Sequence, residues 1–296
     1  KRLPEYSKPY GKACVIIDSF LYAELNQKLE NTYGESEGEF FSICFKGECC
    51  DDEVQRICEI ARSNGAALIV GVGGGKTLDT AKLCADSVGL PVIIVPTSAS
   101  TDAPVSEIAV LYTADGEYIG SRKMKHNAHL VLVDSEIIVK APKRLFVAGM
   151  GDALATYPEA LACQGSDSPN YIAGGRRRCK AGMAIAKSCW DILFSDGRSA
   201  LTALERGVIT ESLENVIEAN TLLSGLGFLN TGLATAHGIH SLEQLDGEPI
   251  EENITAIAKK TADGPLVHQE PVFITEKIVY DAILMADELG KKYRGM

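Results

Sequence analysis

The sequence has no apolar run near the roughly 18 residues that span a bilayer, so no membrane-spanning helix is expected. It has no net positive charge either: 29 Lys and Arg stand against 40 Asp and Glu, a formal charge of −11. That balance argues against nucleic acid and anionic membrane surfaces as partners. The longest basic run, Arg176-Arg177-Arg178, reads as a solvated patch. Nine cysteines are present without any paired metal spacing: Cys49 and Cys50 are adjacent and the others are scattered. They read as reduced packing thiols, which points to the cytoplasm, and no signal peptide is visible at Lys1. Neither a Walker A motif nor a GxGxxG fingerprint occurs. What remains is ordinary globular composition, 46% hydrophobic over 296 residues, enough for one large or two medium domains.

The most informative stretch is Gly71-Val72-Gly73-Gly74-Gly75-Lys76-Thr77-Leu78-Asp79-Thr80-Ala81-Lys82. An apolar run, Ala66 to Val70, leads in, and a helical pattern, Leu78 to Ala85, leads out. A strand, a glycine turn and a helix present backbone N–H groups and the positive end of a helix to a phosphate. A bare glycine turn also occurs without any ligand, so the stretch alone does not decide between the two.

Its surroundings support a nucleotide site. Cys14-Val15-Ile16-Ile17 reads as a buried parallel strand ending in Asp18. An acid there either takes ribose hydroxyls and repels a 2′-phosphate or caps the helix expected from Phe20 to Leu29. Phe40 to Phe45 reads as a second strand and Asp51 to Asn64 as a helix. Leu90 to Pro96 reads as a fourth strand, and Thr97-Ser98-Ala99-Ser100-Thr101-Asp102 follows at its carboxyl end. Ligands of open α/β sheets bind at that end, although such loops also satisfy their own backbone. Glu107 to Tyr112 reads as a strand, Ala114 to Glu117 as a hairpin turn, and Leu130 to Asp134 as another strand. From about Val147 long helical periodicities take over, with helices expected at 153–163, 178–194, 199–223, 233–245, 254–262 and 274–289. The chain therefore reads as residues 1–146, α/β, and residues 147–296, helical.

In the second half, Gly151-Asp152-Ala153 opens an expected helix with Asp152 in its cap region, and His237 and His240 stand three residues apart on one helical face. An Asp and a His from separate helices can begin a divalent-metal site. A cap and a packed histidine are the alternatives.

Five motifs in order, GVGGGKTLDTAK, PTSASTDAPVSEIAVLYT, GMGDALATYPEA, VIEANTLLSGLGF and LATAHGIH, resemble those of glycerol dehydrogenases, members of the iron-activated alcohol dehydrogenase superfamily. The resemblance runs from Leu3 to about Leu245 and resumes near Thr261. It implies an N-terminal nucleotide-binding α/β domain followed by an all-α domain, a dehydroquinate synthase-like fold. It implies NAD and a divalent metal, zinc foremost, and oxidation of glycerol to dihydroxyacetone. Carried over by residue, Asp18 would face the adenosine ribose. Gly74, Gly75, Lys76, Thr77 and Asp79 would surround the pyrophosphate and nearby ribose. Thr97, Ser98, Ser100, Ser106, Ile108 and Tyr112 would line the cofactor. Asp102 would contact substrate hydroxyls, Asp152 and His237 would hold the metal, and His240 would stand beside the substrate. A homo-oligomer is expected, since helices left without partners would expose apolar surface that promotes association.

The sequence departs from the family at defined places. The HGE-type motif that carries a third metal ligand is missing after His240, and a stretch of the helical domain is absent before Thr261. The start also looks shortened. With two protein ligands a metal is held weakly, and His268 is a candidate substitute. Ile17 stands where a glycine usually precedes the acid. Two further functions follow: a relative acting on another small hydroxycarbonyl or a triose phosphate, with Arg122, Lys123 and Lys125 as candidate phosphate contacts, or a degenerate NAD-binding paralogue.

Overall fold

The computed structural model describes residues 2–171, 174–240 and 251–294. The chain forms two compact units, Lys1–Ala153 with Asp191–Gly225, and Leu154–Trp190 with Leu226–Met296. In these units Asp191–Gly225 is grouped with the N-terminal residues.

The first unit is built on five parallel strands in the order β2-β1-β3-β4-β7. These are β1 (Ala13–Asp18), β2 (Phe40–Phe45), β3 (Leu68–Gly73), β4 (Val92–Pro96) and the short β7 (Leu130–Val131). A hairpin of β5 (Ile108–Tyr112) and β6 (Tyr118–Lys123) stands apart as its own antiparallel pair. Four helices precede or connect the strands: α1 (Leu3–Ser7), α2 (Tyr22–Gly34), α3 (Asp51–Ser63) and α4 (Gly75–Val88). The apolar runs become strands because both faces of the sheet are covered. Cys14, Ile16, Ile69 and Ile94 pack with Val54, Ile57, Leu78 and Leu83 of α3 and α4. The alternate residues Val15, Ile17, Val70 and Ile93 pack with Leu3, Leu25 and Tyr33 on the other face. Each fully buried Ile or Leu contributes roughly 1.5–3 kcal/mol through removal from water. The helical connections are equally local in origin. Asp51, Asp52 and Glu53 place three acids in the first turn of α3, where the helix dipole favours them.

The remaining helices are α5 (Ser135–Ile138), α6 (Lys143–Gly165), α7 (Lys180–Glu205), α8 (Glu211–Glu218), α9 (Ser224–Thr231), α10 (Thr235–His240), α11 (Glu251–Ala262) and α12 (Glu276–Arg294), with a π-helical turn at Ala219–Leu223. Within the second unit Ile254, Ile257 and Ala258 of α11 pack on Val279 and Ile283 of α12. Among the described residues no helix is long and apolar enough to cross a membrane.

Two helical expectations need correction. The helix expected to open around Asp152 begins at Lys143, directly after Pro142, so Asp152 is an interior residue and not a cap. The early start also places Pro158 well inside α6, where a proline removes a helical hydrogen bond. The helix expected over 199–223 is broken: α7 ends at Glu205, Gly207 takes a left-handed φ of 65°, and Thr210 caps α8 through Leu213 N–H. Local turn and cap chemistry overrides the continuous apolar periodicity there. The expected 233–245 helix is α10 as far as His240; residues 241–250 lie outside the described residues.

Candidate active site

The strand order places a topological switch point between β1 and β3, since the chain leaves β1 towards β2 and leaves β3 towards β4 on opposite sides. A crevice outside the carboxyl ends of those strands is the ligand position of open α/β sheets. Asp18 ends β1 and Gly73 ends β3. The two ends are tied together. Asp18 Oδ1 accepts the Phe20 N–H at 3.0 Å and Oδ2 accepts the Thr77 hydroxyl at 3.3 Å. Asp18 is thus a local cap and also a link to the first turn of α4.

The glycine turn fits tightly under that turn. A Cβ on Gly73 would lie 2.7 Å from Thr77 Cβ and Oγ1, so the close approach of strand and helix requires glycine. Gly74 is the N-cap of α4 and no side chain caps it. The first intrahelical bond runs from Leu78 N–H to Gly74 C=O at 3.0 Å, so the N–H groups of Gly75, Lys76 and Thr77 precede it. Lys76 Nζ lies 2.8 Å from Glu48 Oε1 and 4.7 Å from the centre of the Tyr112 ring. Burial, with nearby carboxylates adding to it, pushes the Tyr112 phenol up to about 12. Asp79 is buried, and burial raises its pKa against the opposing pull of Lys82.

The hydroxyl loop lies against the glycine turn. Thr97 N–H donates to Gly73 C=O at 3.0 Å, and Ser98 Oγ stands 3.1 Å from Ser100 Oγ. Ser106 Oγ donates to Ile108 C=O at 3.2 Å and accepts the Ile108 N–H at 3.1 Å. Asp102 N–H donates to Asp152 Oδ2 at 3.3 Å, and Asp102 Oδ2 accepts the Ser224 hydroxyl at 3.4 Å. The loop is held from behind by Asn220, fully buried in the π-helical turn, which donates to Ala99 C=O at 3.0 Å and Phe146 C=O at 3.3 Å. Gly149 completes this contact: a Cβ there would lie 1.9 Å from Ala99 O. π-Helical turns concentrate at functional sites.

In the second unit His237 stands in the first turn of α10. Its backbone N–H donates to Glu159 Oε1 at 2.9 Å, and its Nδ1 is hydrogen-bonded to Glu159 Oε2. Glu270 takes the Thr235 N–H at 3.1 Å. Two carboxylates therefore satisfy the leading N–H groups of this short helix. His240 closes α10, but its side chain lies outside the described residues. His268 is exposed in a 3₁₀ turn. Among the described residues no three His, Cys, Asp or Glu side chains come together as a metal centre.

Glu48, Lys82, Glu159, Asn220 and Ser224 were not singled out by sequence. All except Glu48 lie inside the motifs quoted above, where their residue types already stood out among apolar neighbours. Their partners lie between 3 and 122 residues away.

An open parallel sheet with a glycine turn at its switch point, followed by a helical region, defines a nucleotide-binding class of α/β protein. The first 135 residues match the model of the iron-containing alcohol dehydrogenases. The chain is 35% identical to the glycerol dehydrogenase of Pseudomonas putida, covering 99% of this chain and 94% of that one. It is 33% identical to the glycolaldehyde reductase of Halobacterium salinarum, over 95% of this chain and 91% of that one. The crystal structure of a probable glycerol dehydrogenase from Sinorhizobium meliloti 1021 superposes with a TM-score of 0.89 at 36% identity, covering 98% of this chain and 94% of that one. The chain belongs to the glycerol dehydrogenase family of the iron-containing alcohol dehydrogenases and is an oxidoreductase. The Pseudomonas alignment extends over 346 positions, so this 296-residue chain is internally shorter than its relative.

Proposed function

We propose that the protein oxidises glycerol, or a similar small polyol, to dihydroxyacetone or the matching ketone with NAD as hydride acceptor. The observation that carries this reading is the β1/β3 switch point, where Asp18, the Gly73–Gly75 turn and the Thr97–Ser100 loop meet. These residues suit NAD. The side-chain-free cap of α4 offers backbone N–H groups to a pyrophosphate, with Lys76 beside it, and the Asp18 carboxylate suits ribose hydroxyls and disfavours a 2′-phosphate. Ser98, Ser100, Ser106, Ile108 and the neutral Tyr112 phenol would line the rest of the cofactor. When bound, NAD supplies the hydride chemistry.

Asp152 and His237 would hold a divalent metal, zinc foremost, which would lower the pKa of the substrate hydroxyl. The Glu159–His237 pair supports this, because metal-binding imidazoles characteristically give their other nitrogen to a carboxylate. Two protein ligands predict weak retention of the metal. Asp102, held by Ser224, would orient the substrate hydroxyls, and His240 would stand near them.

The reading of another small hydroxycarbonyl rests on the glycolaldehyde reductase relative. A triose phosphate is less well supported: Arg122, Lys123 and Lys125 already face Asp51, Glu107 and Asp86 at 3.1, 2.9 and 3.6 Å. The deciding experiment follows NADH formation from glycerol, and NADH consumption with dihydroxyacetone and glycolaldehyde, each with and without added zinc. Zinc-stimulated turnover of the glycerol–dihydroxyacetone pair supports the proposal. NADH binding without turnover of any of these substrates at saturating zinc would replace it with the degenerate paralogue.

A further inference from the structure

Lys82 lies on α4, one turn beyond Asp79, in a stretch where every residue from Thr77 to Ala85 is buried. A buried ammonium is stable only when it is surrounded by oxygens. Its Nζ donates to the carbonyls of Ala103 at 2.9 Å, Ser106 at 3.1 Å and Ile108 at 2.7 Å, and lies 2.8 Å from Asp79 Oδ1. The other Asp79 oxygen accepts the Val110 N–H at 2.8 Å. Three carbonyls converging on one point require a group with three donors. An ammonium has three and no acceptor, and the carboxylate balances its charge.

These contacts fasten one continuous segment, Ala103 to Val110, onto the helix that starts at the glycine turn. The segment begins directly after Asp102 and contains Ser106 and Ile108. Both charged groups are turned inward, so neither is placed to touch cofactor or substrate. Asp79, expected near the pyrophosphate and ribose from the family resemblance, pairs with Lys82 and the Val110 N–H.

We propose that Asp79 and Lys82 are positioning residues that hold the Ala103–Val110 segment in its cofactor-binding shape through the converging carbonyls. This rests on the reading of Thr97 to Tyr112 as the cofactor wall. The pair acts by pre-organisation: without it the segment would need to be ordered by the cofactor at the expense of affinity.

The test uses the full chain. Single replacement of Lys82 leaves a buried carboxylate alone and risks misfolding, so the primary variant is D79N/K82M, which removes both charges. Two quantities are measured: amide hydrogen exchange without cofactor, and NADH affinity by fluorescence titration. The expected result is at least tenfold faster exchange for the amides of residue 103 and residues 105–110, unchanged exchange in β1 and β3, and at least tenfold weaker NADH binding. In K82A refolded with the cation present, propylammonium is expected to restore folding and both quantities, whereas tetramethylammonium, equally charged but without N–H groups, is not. A folded double variant with either quantity within twofold of the wild type would overturn the proposal, as would equal rescue by the two cations. Failure of the wild-type protein to bind NADH would instead overturn the proposed function. The exchange measurement, made without cofactor, separates the two failures.

Discussion

Glu159 takes both the backbone N–H and the ring Nδ1 of His237, joining two residues 78 positions apart through one nearly buried carboxylate. One oxygen caps the first turn of the helix and the other selects the imidazole tautomer. An amide in place of that carboxylate keeps a single acceptor and turns an NH₂ group towards one of the two partners. Glu159→Gln is therefore expected to weaken zinc binding by about 10–100-fold, measured by calorimetry on the metal-stripped protein. The ¹⁵N shifts of His237 are expected to move towards the other tautomer. Unchanged shifts and affinity would remove Glu159 from the site.

Asp18 joins the end of β1 to the first turn of α4 and is the proposed contact for the cofactor ribose. Asp18→Ala removes the bond from Phe20 N–H and the partner of the Thr77 hydroxyl. The loss of the cap is expected to cost about 1 kcal/mol in denaturant unfolding. NAD affinity should fall while NADP affinity rises, because the charge that repels a 2′-phosphate is gone. An NAD-to-NADP preference that stays constant in paired titrations would dissociate Asp18 from the ribose.

Asn220 tests the support behind the hydroxyl loop. Asn220→Ala leaves the carbonyls of Ala99 and Phe146 without this donor in a buried setting. The expected loss is roughly 2 kcal/mol of stability, with weaker NADH binding at a temperature where the variant remains folded. Asn220→Asp should be worse, since it sets a carboxylate against two carbonyl oxygens. Chemical denaturation of the pair of variants measures the ranking.

Alkaline pH should destabilise the first unit. Burial pushes the thiols of Cys14 and Cys49 up to about 12, and Tyr112 to the same value. In the unfolded chain thiols ionise near pH 8.5 and tyrosine near pH 10. Between those values and about 12 the unfolded state holds fewer protons than the native state, so stability falls as pH rises. It is fully present below about pH 8. Urea midpoints taken from pH 8 to pH 11 should decline steadily. Exposed Cys179 should react with a thiol reagent well before Cys14 and Cys49.

The α/β half was legible because its signals are local. Buried strands announce themselves as apolar runs, and Asn64–Gly65 and the 114–117 turn mark real chain reversals between elements. The helical half was harder. Apolar periodicity around residues 199–223 continues through a genuine break at Gly207, and α6 begins well before the cap-like Asp152. Gly149 lies inside α6 and is required there by a carbonyl 50 residues earlier, which no local pattern announces.

By itself the amino-acid sequence determined the strand–turn–helix seat at Gly71 to Lys82, the acid at the end of the first strand, the hydroxyl-rich loop, and the family to which these motifs point. Each depends on residues close together in the chain, where backbone preference and hydrophobic period act directly. Only the tertiary structure decided which polar groups within those motifs face inward. Asp79 and Lys82 turn to a segment more than 20 residues away, Asn220 reaches Ala99, and Glu159 reaches His237. A buried charge or amide takes its partner from whatever folding brings within hydrogen-bond distance, and that choice is made by packing across the chain rather than along it.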